Sequence, residues 1–228
     1  MNNLQDHFYK KKEADNFYDR WVVNNKKEYL SICAKNLREE KSNILNCLRS
    51  NIKLIKKNVL EIGCFVGDLL FKLKHNFNCK VEGIDASKKA CDLSKKKFNL
   101  KIENKIFLES KYFKMNKRNF EKFDLIICDD VLSWMDRKTI LQALSSIDFL
   151  LKEGGYLFLK DYWVKKNFCF QNHHYPKKKI YSFKQEEGHK KIFLWSGRYK
   201  LIYDKIFVSK KFQKVKIKYK EANTWSYT

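Results

Sequence analysis

The spacing of apolar residues changes character at about residue 58 and again after Asp161. Up to Ser50 the sequence holds neither glycine nor proline, and apolar positions recur at helical intervals in two stretches, Phe17 to Val23 and Tyr29 to Leu48. Both are expected to be helices, so residues 1–50 read as an N-terminal helical cap on a main region, 51–228, within a single structural domain. From Asn58 onward short apolar runs alternate with amphipathic stretches. Val59–Ile62, Lys80–Ile84, Lys101–Leu108, Asp124–Cys128 and Tyr156–Lys160 read as five strands, with helices between them. Arg137 to Leu151 is the clearest of these helices, and Gly154-Gly155 supplies a glycine stop signal after it. Such alternation predicts a three-layer α/β sandwich with a mostly parallel sheet. After Asp161 aromatics and lysines mix irregularly to about Glu187. Two strand-like runs follow, Tyr199–Val208 and Lys214–Tyr219, with Ser209–Phe212 able to turn between them.

Composition narrows the setting. At 228 residues the chain is long enough for one α/β core. No apolar run reaches the length of a membrane span, and Met1 to Asp15 is polar and mixed in charge, unlike a signal peptide. The seven cysteines, at 33, 47, 64, 79, 91, 128 and 169, are odd in number and form no C-x-x-C pair, which argues against a disulfide framework or zinc site and fits a reducing cytoplasm. No metal is expected. The net charge of +23 would attract nucleic acid, anionic lipid or a phosphorylated substrate. Lysine supplies most of it, while arginine, the residue favoured for bidentate phosphate contacts, is rare; a solvated lysine surface of coding-composition origin accounts for the charge as well.

Candidate chemistry begins at Val59-Leu60-Glu61-Ile62-Gly63-Cys64-Phe65-Val66-Gly67-Asp68. Here an acid sits near the end of an apolar strand, before a two-glycine turn that opens a helix. A second acid, Asp85, ends the next strand, with Ala86 beside it, where a carboxylate can accept both hydroxyls of a ribose. Phe65 occupies the place at which a dinucleotide fingerprint needs its second glycine, so a pyrophosphate could not approach that backbone. A phosphate-free adenosine derivative with a cationic end has no such need.

On Glu61, Gly63, Gly67 and Asp85 the chain resembles the class I S-adenosylmethionine-dependent methyltransferases, whose first motif reads roughly Glu/Asp-x-Gly-x-Gly-x-Gly. Phe65 replaces the middle glycine. The resemblance implies a Rossmann-like sheet of seven strands ending in a C-terminal antiparallel hairpin, and S-adenosylmethionine as cofactor. It implies cofactor contacts from Glu61, Gly63, Cys64, Gly67, Asp85 and Ala86. Glu109, after the third strand, would meet the adenine, and Asp129, after the fourth, the ammonium. Either Asp129 or Asp130 could instead cap the following helix. Asp130, Tyr162 and Trp163 are candidates for the acceptor, with Asp161 on the rim of its pocket.

Methyl transfer from a sulfonium depends chiefly on alignment, and a base matters for a hydroxyl or a protonated amine. His173 and His174 are the candidate bases, with Asp161 the third catalytic candidate. From Phe123-Asp124-Leu125-Ile126 to Trp195-Ser196-Gly197-Arg198-Tyr199 the chain is similar to a bacterial methyltransferase subfamily found with surface-polysaccharide genes. That implies a sugar, sugar-nucleotide or other small acceptor, and the positive surface would help an anionic one approach. Aromatic faces such as Tyr162, Trp163, Tyr181 and Trp195 suit ring packing, or simply the core. A nucleic-acid methyltransferase is disfavoured, since Asp129-Asp130-Val131-Leu132 stands where base-amine enzymes carry Asn/Asp-Pro-Pro-Tyr/Phe. A non-catalytic cofactor-binding partner protein is the remaining alternative.

Overall fold

The computed structural model describes residues 34–113, 116–171, 181–208 and 224–227. The expected helix Phe17–Val23, the strand Lys214–Tyr219, and His173 and His174 lie outside the described residues. The chain divides into two compact units, residues 1–127 with 146–156, and residues 128–145 with 157–228. No helix among the described residues is long and apolar enough to cross a membrane.

The first unit carries α1 (Ala34–Asn51), β1 (Asn58–Ile62), α2 (Asp68–Phe77), β2 (Lys80–Asp85), α3 (Lys88–Phe98), β3 (Ile102–Asn104), most of β4 (Phe123–Asp129), the end of α4 (Arg137–Leu150) and the start of β5 (Leu151–Trp163). Five strands run in the order β3-β2-β1-β4-β5, and β1/β2 and β2/β3 pair in parallel. The order reverses at β1, the kind of switch point at which open α/β sheets bind ligands. Val59, Leu60 and Ile62 are all buried, because helices cover both faces of a parallel sheet. Against it α2 turns Leu69, Leu70 and Leu73, each burial contributing roughly 2 kcal/mol. Asn78 and Asn99 end α2 and α3 in the left-handed region that asparagine tolerates.

Strands one, two and four fall within a residue or so of their expected ranges, and three other elements differ. The third strand stops at Asn104 instead of Leu108, because the Lys105 amide turns back to the carbonyls of Asp85 and Glu103. Phe107 to Glu109 then form one 3-10 turn. Helix α4 ends at Leu150, before any glycine. Its Phe149 and Leu150 carbonyls accept the amides of Glu121 and Lys122, so a neighbouring segment satisfies the end that a glycine cap would have served. Gly154 and Gly155 consequently lie within β5, which runs from Leu151 through Trp163 instead of Tyr156 to Lys160. Asp161 is thus a strand residue, not a rim residue.

The second unit holds the remainder of β4, α4 and β5, and then β6 (Phe168–Gln171), β7 (Tyr181–Lys184), α5 (Lys190–Trp195), β8 (Lys205–Val208) and β9 (Thr224–Tyr227). β6 and β7 pair antiparallel. The stretch read as irregular therefore contains two strands, whose pattern of aromatics and lysines lacks a clean polar-apolar alternation. Ser182 and Lys184 hold β7 down by bonds to the carbonyls of Trp134 and Ser133.

Candidate functional site

Three residues of the turn after β1 take positive φ: Gly63 at 72°, Phe65 at 52° and Gly67 at 76°. The amides of Gly63 and Cys64 both donate to the Ile84 carbonyl, at 2.8 and 3.1 Å, so the turn folds back over the end of β2. Gly83 makes that approach feasible, since a Cβ there would stand 2.7 Å from Cys64 Sγ and 2.8 Å from Leu70 Cδ1. At Gly67 a Cβ would meet Leu100, Ile102 and Ser94 at 3.0 to 3.2 Å. The close approach that Gly67 permits is therefore to the chain's own α3 and β3 side, whereas the sequence alone suggests a ligand. Phe65 takes a left-handed conformation that costs a residue with a Cβ roughly 1 kcal/mol, which is why a glycine suits this position.

Asp85 closes the turn. Its Oδ2 accepts the Phe65 amide at 2.7 Å and its Oδ1 the Ser87 amide at 2.8 Å, so both oxygens are fixed in direction. The residue remains half-buried. A carboxylate oxygen has two lone-pair sites, so each keeps capacity for a hydroxyl donor. Ser87 is also the cap of α3, accepting the Ala90 amide at 3.1 Å. Asn104, level with Asp85 in the sheet, donates to the carbonyls of Asp85 and Ala86. Ser87 was legible in the sequence as a serine between a strand and a helix; Gly83 and Asn104 carried no comparable signal.

Glu61 is fully buried, and its Oε1 accepts from Lys41 Nζ of α1 at 2.8 Å. A cation of the chain itself thus stands on the acid expected to face a cofactor's cationic end, and nothing in the pattern of α1 marks Lys41 for that part. Burial, with the charges of Asp85 and Glu61, pushes the Cys64 thiol well above its ordinary value. It stays a thiol, hence a poor nucleophile. Among the described cysteines Cys169 is exposed and Cys64, Cys79, Cys91 and Cys128 are buried. A disulfide reagent is therefore expected to modify Cys169 at least tenfold faster than Cys64, read by mass spectrometry of the native protein. Equal rates would contradict the thiol's burial. Glu109 lies exposed in the 3-10 turn, five residues past the end of β3, so it does not directly follow a strand.

In the second unit neither Asp129 nor Asp130 caps a helix. Asp136 does, accepting the Thr139 amide at 3.0 Å and its hydroxyl at 2.6 Å. Asp129 pairs with Lys160 at 2.7 Å, with both side chains nearly inaccessible. Burial pulls the Lys160 ammonium down to about 7, and the Asp129 carboxylate compensates its charge. Asp130 has φ 55°, and burial, reinforced by Asp129 and Asp161, raises its carboxyl well above the usual range against the pull of Lys184. Lys184 itself, lowered by burial to about 8, lies 3.8 Å from the centroid of the half-buried Tyr162 ring and 5.0 Å from that of Trp134. Trp163 is also half-buried.

Asp161 is buried and accepts four hydrogen bonds. Ser133 Oγ and the Tyr162 amide donate to Oδ1, and the His189 amide and the His189 Nδ1 meet Oδ2. Burial pushes this carboxyl up, but the neighbouring imidazole and these donors outweigh it and hold the group at about 2. His189, which directly follows Gly188 in a lysine-rich stretch, carried no sequence signal.

A cavity of about 1050 Å³ in the first unit is lined by Lys56, Lys74, Lys80, Lys101, Lys152 and Asp124 among others. These residues stand at or just before the amino-terminal ends of β1 to β5, with Lys74 near the end of α2. Ligands of open α/β sheets bind at the opposite, carboxyl ends, so the glycine turn and not this cavity is the candidate cofactor site.

Comparison with known proteins identifies the family and the fold. Curated relatives include an uncharacterized protein of Rickettsia prowazekii, 29% identical over 44% of this chain and 41% of its own length, and one of Haemophilus influenzae, 26% identical over 49% and 45%. The chain thus spans less than half the length of these curated relatives. Solved structures of similar fold include the S-adenosylmethionine-dependent methyltransferase of Mesorhizobium loti, with TM-score 0.55 and 12% identity over 80% of this chain and 95% of that one. Another is the 1,6-didemethyltoxoflavin-N1-methyltransferase of Burkholderia thailandensis with 1,6-didemethyltoxoflavin and S-adenosylhomocysteine bound, TM-score 0.55 and 11% identity over 88% and 87%. At such identities the likeness establishes the α/β Rossmann-like fold. The methyltransferase-domain family matches residues 53–216, which contain the turn, Asp85 and the buried Asp161 cluster, and the chain belongs to that family.

Proposed function

We propose that this chain transfers a methyl group from S-adenosylmethionine to an oxygen or nitrogen of a small-molecule acceptor, a sugar or sugar nucleotide. The observation that carries this is Asp85, held by the Phe65 and Ser87 amides with lone pairs to spare for two ribose hydroxyls. The turn fits a phosphate-free adenosine. Phe65 stands where a pyrophosphate would need bare backbone, whereas a thioether-linked nucleoside makes no such demand. Bound S-adenosylmethionine supplies the electrophilic methyl. Gly63, Cys64, Gly67 and Ala86 would shape the turn around it, and Glu109 would meet the adenine.

For the acceptor, Asp130, Tyr162 and Trp163 supply polar and aromatic surface. The similarity to a subfamily found with surface-polysaccharide genes favours a saccharide, and the positive charge of the chain favours an anionic one. The Burkholderia enzyme, with a small heterocycle bound, supports the small-molecule class. We place the protein in the cytoplasm, with residues 1–50 as a cap. The sheet extends to seven strands through β9 and β8, a reading supported by antiparallel registers of β9 with β5 and with β8.

Titration calorimetry with S-adenosylmethionine, S-adenosylhomocysteine and reduced nicotinamide dinucleotide tests the donor. The two adenosyl ligands are expected to bind in the micromolar range, at about −8 kcal/mol, and the dinucleotide at least about 100-fold more weakly. Tight dinucleotide binding, or no heat from either adenosyl ligand, would sink the reading.

A further inference from the structure

Positive charge gathers at one place in the first unit. The cavity of about 1050 Å³ at the amino-terminal ends of the strands is bordered by Lys56, Lys74, Lys80, Lys101 and Lys152, and Asp124 is the one acid among its described lining residues. The lining therefore carries a formal charge of +4. Asp124 has little left to offer the other lysines, because its Oδ1 accepts from Lys152 at 3.1 Å and its Oδ2 from the Asn58 amide at 2.8 Å. Lys56, Lys74, Lys80 and Lys101 are exposed, and their ammonium groups have no hydrogen bond or ion pair among the described residues. The sheet order explains how they meet. Neighbouring strands lie about 4.8 Å apart, and β3, β2 and β1, adjacent in that order, each have a lysine at or just before the start: Lys101, Lys80 and Lys56. The Lys80 amide donates to the Lys57 carbonyl at 2.9 Å, which holds the starts of β1 and β2 together. Lys56 is pinned by its amide's bond to the Phe77 carbonyl and takes φ 56°, the left-handed conformation this chain gives to asparagine at 78 and 99. Compensation of a helix dipole accounts for Lys74, in the last turn of α2. It does not account for lysines that begin strands, since a sheet has little net dipole.

We propose that this cavity is a second ligand site, which binds a run of linked phosphoryl groups: an inorganic polyphosphate or the phosphate tail of a nucleotide. A cleft lined by one sign of charge within low-dielectric walls focuses its field and concentrates a ligand of the opposite sign. Lysine suits such a ligand, since an ammonium meets phosphate oxygens as a point charge and tolerates several orientations. The same lining offers nothing that reads a base. Among the described residues it holds no arginine for bidentate base contacts and no aromatic side chain on which a base could stack, so a strand of RNA is not the ligand it fits. A flat anionic bilayer would not reach into a recess. The volume is that of a small-molecule site. The five residues of β1 separate the cavity from the glycine turn by about 13 Å, so the phosphate ligand and the phosphate-free donor take opposite ends of one sheet. The phosphate site is thus distinct from the methyl-donor site and does not depend on it.

The test uses the full chain at about 0.15 M salt, where charges more than about 8 Å away are largely screened. Tripolyphosphate, ATP and orthophosphate are titrated by calorimetry, beside a single-stranded RNA oligonucleotide and vesicles of phosphatidylcholine with phosphatidylserine. Tripolyphosphate is expected to bind at least about tenfold more tightly than orthophosphate, because it reaches several lysines at once. An affinity for ATP above that for tripolyphosphate assigns the ligand to nucleotides, and one below it to free polyphosphate; either supports the site. Replacing Lys56, Lys80 and Lys101 together by glutamine is expected to weaken tripolyphosphate binding at least about tenfold. These side chains are exposed and make no bonds within the described structure, so the variant should fold. The matched control replaces Lys88, Lys166 and Lys200, exposed lysines that do not line the cavity, and is expected to change the affinity less than about twofold. Equal losses in the two variants would reveal diffuse charge and overturn the site. So would RNA or vesicle binding that the cavity variant loses while tripolyphosphate does not bind at all. Saturating S-adenosylhomocysteine is expected to leave tripolyphosphate affinity within about twofold, the screened distance between the two ends of β1 being longer than about 8 Å. Displacement of tripolyphosphate by it would put the phosphate at the glycine turn and overturn the second site. Failure of S-adenosylhomocysteine to bind overturns the donor reading alone.

Discussion

Replacing Asp85 by alanine is expected to weaken S-adenosylmethionine binding about 100-fold or more while leaving the protein folded. Two hydroxyl bonds to an ionised acceptor contribute roughly 1.5 kcal/mol each at the low end, together about 3 kcal/mol, which corresponds to that factor. The substitution also releases the Phe65 and Ser87 amides. Because Asp85 is half-buried, water can replace the carboxylate on those amides, and the cost to stability is expected to stay near 1–2 kcal/mol. Ser87 keeps its bond to the Ala90 amide, so α3 retains its cap. Calorimetric titration alongside thermal unfolding separates the two effects. Affinity within threefold of wild type would remove Asp85 from the cofactor site.

Legibility in the sequence divided along the same line as the physics. The turn and the first two strands could be read because they are local: Val59, Leu60 and Ile62 make an apolar run broken only by Glu61, Gly63 and Gly67 bear positive φ, and Asp85 closes the next strand. Elements whose ends depend on distant partners could not. Helix α4 stops where Glu121 and Lys122 meet its carbonyls, and no residue near Leu150 records that. The third strand ends on a bond from Lys105 to a neighbouring strand, which moved Glu109 away from the sheet. The buried polar groups were the least legible of all. Lys41 reaches Glu61 across 20 positions, and His189 and Ser133 each reach Asp161 across 28. Asp161 was singled out for its place after an apolar run, but its chemistry is decided by partners that only tertiary structure brings to it.

Those partners make Asp161 the residue on which the second unit's stability is expected to depend most. In Asp161→Ala the Ser133 hydroxyl, the Tyr162 amide and both nitrogens that His189 turns towards the carboxylate lose their acceptor in a region closed to water. An unsatisfied buried donor costs about 1–3 kcal/mol, so four of them imply a loss of about 4 kcal/mol or more. The wild-type chain should register the same interactions through pH. The Asp161 carboxyl is held at about 2 in the folded protein, against about 3.9 in an unfolded chain. Its folded value is depressed, so its contribution is fully present above about pH 4 and is lost as the pH falls through about 2. Linkage sets that contribution at roughly 2–3 kcal/mol. Urea unfolding followed from about pH 5 down to about pH 2 is expected to lose that much stability in the wild type through this group. In Asp161→Ala, already weaker at pH 5, that part of the acid slope should be missing. Parallel acid slopes in the two proteins would mean that Asp161 is not held ionised by His189 and Ser133.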